Sequence, residues 1–218
     1  SYALSALLRL MDIVESEEVP TAAVECRIQP RLLINPCFVS RHANTPERLL
    51  MLVIHELHHV LLGHTTLFKT VTKTDNFVFD CVINALISRM LPHADHLAFL
   101  TEFYSDKKFP ECLMRPPTRW NGKTVRRLPA AIRDLPEKHR AQVEEVYRSL
   151  YSETGITYQE VYDILPGLLV GKGIDGTPLL GGHGKDDATS GGLDQRSPVL
   201  FDIVRSIVEE WPQPPDPI

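Results

Sequence analysis

Apolar residues recur at helical spacing near the start of the chain, at Leu4, Leu7, Leu8, Leu10, Met11 and Val14, and predict an amphipathic helix over residues 4–15. Two short runs rich in Val, Ile and Leu follow, 23–28 and 31–39, and read as strands parted by Gln29-Pro30. Thr45-Pro46-Glu47 carries three start signals of a helix: a hydroxyl cap, proline in the first turn, and an acid at the positive end of the dipole. The chain from there to about Gly63 is apolar on nearly every side (Leu49 to Ile54, then Val60 to Leu62), so this helix is expected to be central and buried. A further helix is predicted over 76–91, capped by Asp75 and stopped by Pro92. It is apolar except for Asn76, Asp80, Asn84 and Ser88, which are spaced four apart and share one face. A polar stripe on an apolar helix needs partners.

Downstream, residues 101–127 read as loop, and His93 and His96 as groups closing the preceding helix. Residues 137–153 read as a charged helix with Val143, Val146, Tyr147 and Leu150 on its apolar side, and 157–165 as another, opened by a Thr157 to Glu160 capping box. Nine of the twelve glycines fall between Gly167 and Gly192, which predicts a mobile loop. Within it Gly171-x-Gly173-x-x-Gly176 matches the dinucleotide fingerprint, but neither the strand before nor the helix after that the fingerprint requires is evident. The expected organisation is one domain over 1–166, a glycine-rich loop over 167–198, and a short helix with a proline-rich tail over 199–218.

Composition narrows the function. A net charge of −5 gives no footprint for nucleic acid or an anionic membrane surface. Cys26, Cys37, Cys81 and Cys112 form no Cys-x-x-Cys pair, which argues against a zinc ribbon, and no leader accompanies them to suggest a disulfide framework. No run of about 18 apolar residues occurs, and a cytoplasmic location is expected.

The candidate chemistry lies in His55-Glu56-Leu57-His58-His59 on the central helix. His55 and His59 are one turn apart, so both imidazoles project from one face and can bind a single tetrahedral zinc ion. Glu56 lies beside such a metal rather than on it, where a carboxylate can move a proton between water and a leaving amine. On a buried helix, His and Glu side chains without partners would be costly, which favours a metal over a chance match.

Two histidines leave zinc short of a protein ligand, and two residues compete to supply it. His64 extends the pattern to His-Glu-x-x-His-x-x-x-x-His, but on a continuous helix it points about 180° from His55 and needs a break at Gly63. Asp80 lies on the next helix within the polar stripe, and is the favoured ligand; the arrangement resembles the glutamate- and aspartate-zincins, in which a second helix lends a carboxylate. Asn84, one turn on, would then hold a histidine or the carboxylate in place. The plainer alternative is that Asp80 and Asn84 form a buried hydrogen-bonded pair that fixes helix packing. Tyr104, Tyr147, Tyr158 and Tyr162 are all available as oxyanion partners.

The run Arg31-Leu32-Leu33-Ile34-Asn35-Pro36-Cys37-Phe38-Val39, the helix end Leu62-Gly63-His64 and the segment Phe79-Asp80-Cys81-Val82-Ile83-Asn84 together resemble a bacterial metallopeptidase-domain family found beside von Willebrand factor A-like modules. The resemblance is strong over residues 31–91 and weaker beyond, where Glu144-Glu145-Val146-Tyr147 or Glu160-Val161-Tyr162, and then Leu180-Gly181-Gly182-His183-Gly184, look like later landmarks. It implies a zincin-like, mostly helical α+β fold with a short sheet, peptide hydrolysis with zinc as cofactor, and a protein or peptide substrate. It also implies possible partners, AAA+ ATPases of the MoxR type or von Willebrand A proteins, and with them an alternative role as a non-catalytic, zinc-binding regulatory subunit.

Overall fold

Thr45 opens the central helix as its sequence predicts: its side chain accepts a hydrogen bond from Arg48 N, Pro46 occupies the first turn, and α3 runs Pro46–Leu61. Nine of the ten residues from Met51 to Val60 are buried. The computed structural model describes residues 2–62, 72–169, 174, 176–180 and 202. The expected helix over 199–210 lies outside them apart from Asp202.

The described chain is mostly helical with one small sheet, an α+β arrangement. Helix α1 spans Tyr2–Leu10, and strands β1 (Asp12–Glu15), β2 (Ala22–Glu25) and β3 (Arg31–Ile34) form a sheet of order β1-β3-β2. β1 pairs parallel and β2 antiparallel with β3. The alternation of strand side chains divides the sheet between two clusters. Leu32 and Val24 pack with Leu7 of α1, with Met11 just after it, and with Leu57 and Val60 of α3, whereas Leu33 and Ala23 pack with Val19 on the opposite face. The sheet thus backs directly onto the helix that carries the histidines.

The N-terminal helix is shorter than its periodicity suggests. Residues 12–15, expected to continue it, form β1, because each of the four pairs in register with a residue of β3; tertiary pairing overrides a local period. The run 31–39, expected as one strand, stops at Ile34. Asn35 caps α2 (Pro36–His42) by accepting from Cys37 N at 2.9 Å and Phe38 N at 3.1 Å, with Pro36 in the first turn. This is the same cap-then-proline signature that opens α3.

Helix α4 spans Lys73–Met90 and starts earlier than expected. Its cap is Thr72 rather than Asp75, and Asp75 is the reciprocal partner of a capping box: Asp75 N donates to Thr72 Oγ1 at 3.1 Å and Thr72 N donates to Asp75 Oδ2 at 2.8 Å. Helix α5 (Ala94–Phe103) was not expected, and it takes in His96, while His93 sits at its N-cap position without a side-chain capping bond. The two histidines therefore belong to the start of α5, not the end of α4. A 3-10 turn at Glu111–Met114 interrupts the expected loop, and short α6 (Ala130–Arg133) leads to α7 (Glu137–Leu150), which buries Val143, Val146, Tyr147 and Leu150 as read from the sequence. The Thr157–Glu160 capping box forms, with Thr157 N donating to Glu160 Oε2 at 2.8 Å and Glu160 N to Thr157 Oγ1 at 3.3 Å.

Helix α8 spans Tyr158–Leu169 and carries Pro166 inside it, so the boundary expected at residue 166 falls within a helix. Within the segment expected to be a mobile loop, Leu169 and Leu180 are buried in the main core, with Ile174 and Leu179 partly buried against it. Helix α4 lies at the centre of that core, against α3, α5, α7, α8 and the 3-10 turn. No helix among the described residues is long and apolar enough to cross a membrane.

Candidate metal centre

The turn spacing of α3 sets His55 and His59 on one face, with Nε2 atoms 3.1 Å apart and ring centroids 4.8 Å apart. Helix α4 crosses so that Asp80 faces them: its Oδ1 lies 3.5 Å from His55 Nε2 and 3.3 Å from His59 Nε2. These three residues each offer one ligand atom, all within 4.8 Å of one another, and could hold a metal ion. They are sealed from solvent, with exposures of 0% for His55, 1% for His59 and 0% for Asp80; Glu56, next to His55, is 2% exposed. The third residue proposed from the sequence, Asp80, is thus brought to the histidines. The alternative, His64, lies outside the described residues.

Asn84 decides which nitrogen of His55 faces the group. Its Nδ2 donates to the Met114 carbonyl at 3.1 Å, which orients the amide so that Oδ1 points at His55. His55 Nδ1 is 2.9 Å from that oxygen and must carry the proton to donate to it. In the neutral imidazole Nε2 then has its lone pair toward His59 and Asp80, as a metal ligand requires. Of the two groups that Asn84 is expected to hold, a histidine or the carboxylate, its Oδ1 contacts the histidine, His55. His58 is excluded from the group: its Nδ1 donates to the Ile54 carbonyl of its own helix at 2.7 Å, and burial holds its pKa below the usual value.

Electrostatics bind the group together. Burial alone would push the Asp80 carboxyl up, but contact with the two imidazoles outweighs it and holds the carboxyl at about 2. Burial likewise acts to lower His55, yet Asp80, Glu56 and Asn84 together raise it. Glu56 lacks such a partner: burial pushes it up to about 8, with His55 opposing and Asp80 adding to the rise. Its Oε1 finds no hydrogen-bond donor among the described residues.

The residues fit a divalent metal on this structure's own terms. Two imidazole nitrogens and one carboxylate oxygen make a donor set that could hold a divalent metal ion. Three like-facing lone-pair atoms buried at this spacing are costly without a cation or shared proton between them. The remaining members of the polar stripe differ: Ser88 is buried with its hydroxyl unpartnered among the described residues, and Asn76 is half-buried.

Of the four candidate tyrosines, Tyr104 is the one whose hydroxyl feels the charge of Asp80, and it is buried. Tyr147 donates to the Arg115 carbonyl at 3.1 Å, Tyr158 stacks on Phe79, and Tyr162 is exposed. Two contributors escaped the sequence: the Met114 carbonyl that holds Asn84, and the Leu180 backbone N–H that donates to Asp80 Oδ2 at 3.0 Å. Main-chain groups carry no residue signature, so no motif could have announced either.

No protein-family model, curated protein or solved structure matches this chain. The chemistry of the site is what bears on function.

Proposed function

We propose that this chain is a zinc metallopeptidase in which His55, His59 and Asp80 hold the metal and Glu56 is the general base. The observation that carries the reading is the convergence of three ligand atoms from two helices within 4.8 Å, with a carboxylate that is not among them one residue along from His55. The likeness of residues 31–91 to the bacterial metallopeptidase-domain family points the same way and brings with it a zincin-like fold. Zinc, when bound, would make water acidic enough to lose a proton near neutral pH and would polarise a carbonyl.

The chain's own residues do the rest. Glu56, beside His55 and outside the three ligands, accepts a proton from the attacking water and delivers it to the amine that leaves as the peptide C–N bond breaks. Asn84 keeps the lone pair of His55 Nε2 on the ligand side. Asp80 adds the negative charge that favours a cation over a bare pair of imidazoles. The substrate class is a protein or peptide, and an AAA+ ATPase or von Willebrand A protein is the partner the family likeness suggests.

The burial of all four side chains favours a second reading, a regulatory subunit whose metal is structural. Glu56→Gln separates the two. It retains size and hydrogen bonding but cannot accept the proton, so the variant is expected to fold and hold zinc like the parent while peptide hydrolysis falls by on the order of 10²–10⁴. A cellular phenotype that survives Glu56→Gln but is lost in His59→Ala would transfer the case to the regulatory reading.

A further inference from the structure

We infer that the Leu180 backbone N–H positions Asp80 for the metal, so that seating of the segment 176–180 and metal binding reinforce each other. The two oxygens of Asp80 have separate tasks. Oδ1 faces the Nε2 atoms of both histidines, while Oδ2 accepts from Leu180 N at 3.0 Å, across 100 residues of chain. A carboxylate pinned through one oxygen loses rotational freedom about its last torsion and presents the other oxygen alone. His55 is held on the same plan, with Nδ1 fixed by Asn84 and through it by the Met114 carbonyl. Each of these two ligands thus turns one atom toward the group and has its other atom tied, directly or through one amide, to a backbone group from a distant part of the chain.

The segment is built to reach this position. Thr177 N donates to the Ile174 carbonyl at 3.0 Å, and Gly176 has φ +84°, a turn that L side chains rarely adopt. Beyond the turn Leu179 packs partly and Leu180 fully into the main core. Their apolar side chains anchor the strand of backbone whose N–H meets Asp80. The donor favours the ionised carboxylate, which is the form that ligates. By reciprocity, whatever metal affinity the contact adds, metal returns as tighter seating of 176–180.

This inference rests on the metal-holding half of the proposed function and not on hydrolysis. The test titrates zinc against a chromophoric chelator for the parent, Leu180→Pro and Leu180→Ala, with circular dichroism confirming the fold. Leu180→Pro removes the N–H and is expected to weaken zinc binding by about 10–100-fold, whereas Leu180→Ala loosens the anchor but keeps the N–H, and should lose clearly less. Equal affinity in Leu180→Pro and the parent, or an equal loss in both variants, overturns the inference. Should Leu180→Pro not fold, hydrogen exchange of the Leu180 amide in the parent decides: zinc should slow it, and exchange unchanged by zinc overturns the coupling. A parent that takes up no zinc removes the metal reading as well, while one that holds zinc and cleaves nothing counts against the peptidase reading only.

Discussion

Asn84 Oδ1 lies 2.9 Å from His55 Nδ1, so a side chain of α4 fixes the ring orientation of His55 on α3 while the same helix supplies Asp80 one turn away. Loss of this contact strands a buried N–H and frees the imidazole to rotate or change tautomer. Asn84→Ala is therefore expected to weaken zinc binding by about 10–100-fold, measured by competition with a chelator. Asn84→Asp keeps the acceptor oxygen and should recover part of that loss. Wild-type affinity in Asn84→Ala would leave the amide a packing residue only.

The ligand set can be ranked by substitution. Asp80 faces both imidazoles at 3.3–3.5 Å, so Asp80→Ala should reduce zinc affinity at least as much as losing a supporting group does, about 10–100-fold or more. His64→Ala should change it little. The reverse order would assign the third position to His64.

On the proposed function zinc should also stabilise the fold, because a site assembled from two helices exists in the folded chain and not in the unfolded one. At a free concentration about 100 times Kd the gain is about 2.7 kcal/mol, visible as a rise in the thermal midpoint that a chelator reverses. The His55→Ala, His59→Ala double variant should show no such rise. Equal zinc-dependent shifts in parent and double variant would mean that the metal sits elsewhere.

In metal-free protein Glu56 imposes a pH dependence. Its folded pKa, pushed by burial from 4.5 to about 8, means the folded state keeps a proton that the unfolded chain releases. Its contribution is thus fully present below 4.5 and is lost as pH rises to about 8. His55, also raised, acts in the same direction, whereas Asp80, lowered from 3.8 to about 2, loses its contribution only as pH falls through that range. The urea midpoint should fall between pH 5 and pH 8 in the parent and fall less in Glu56→Gln. Parallel declines would show that Glu56 is not the source.

The sheet holds the helix that carries His55 and His59 through Leu57, which is buried with Leu7, Val24, Leu32 and Val60 between α1, the sheet and α3. Leu57→Ala opens a cavity there and should cost about 2–5 kcal/mol in equilibrium unfolding. A cost below 1 kcal/mol would indicate that the sheet is not a support for this helix.

Local signals were enough for the parts of this protein that short-range chemistry decides. Thr45-Pro46-Glu47 announces α3 because cap, proline and acid act within one turn, and four-residue spacing is enough to align His55 with His59 and Asp80 with Asn84. The mostly helical character with a small sheet follows from the same periodicities. The sequence could not choose the partner of each polar face. Residues 12–15 follow a helical pattern yet form a strand because β3 offers backbone partners, and Asp80 meets two histidines only because α3 and α4 cross at that height. The Met114 carbonyl and the Leu180 N–H were invisible for a further reason: every residue has such groups, and only the path of the chain brings one particular donor, 100 residues away, to within 3.0 Å of the Asp80 carboxylate.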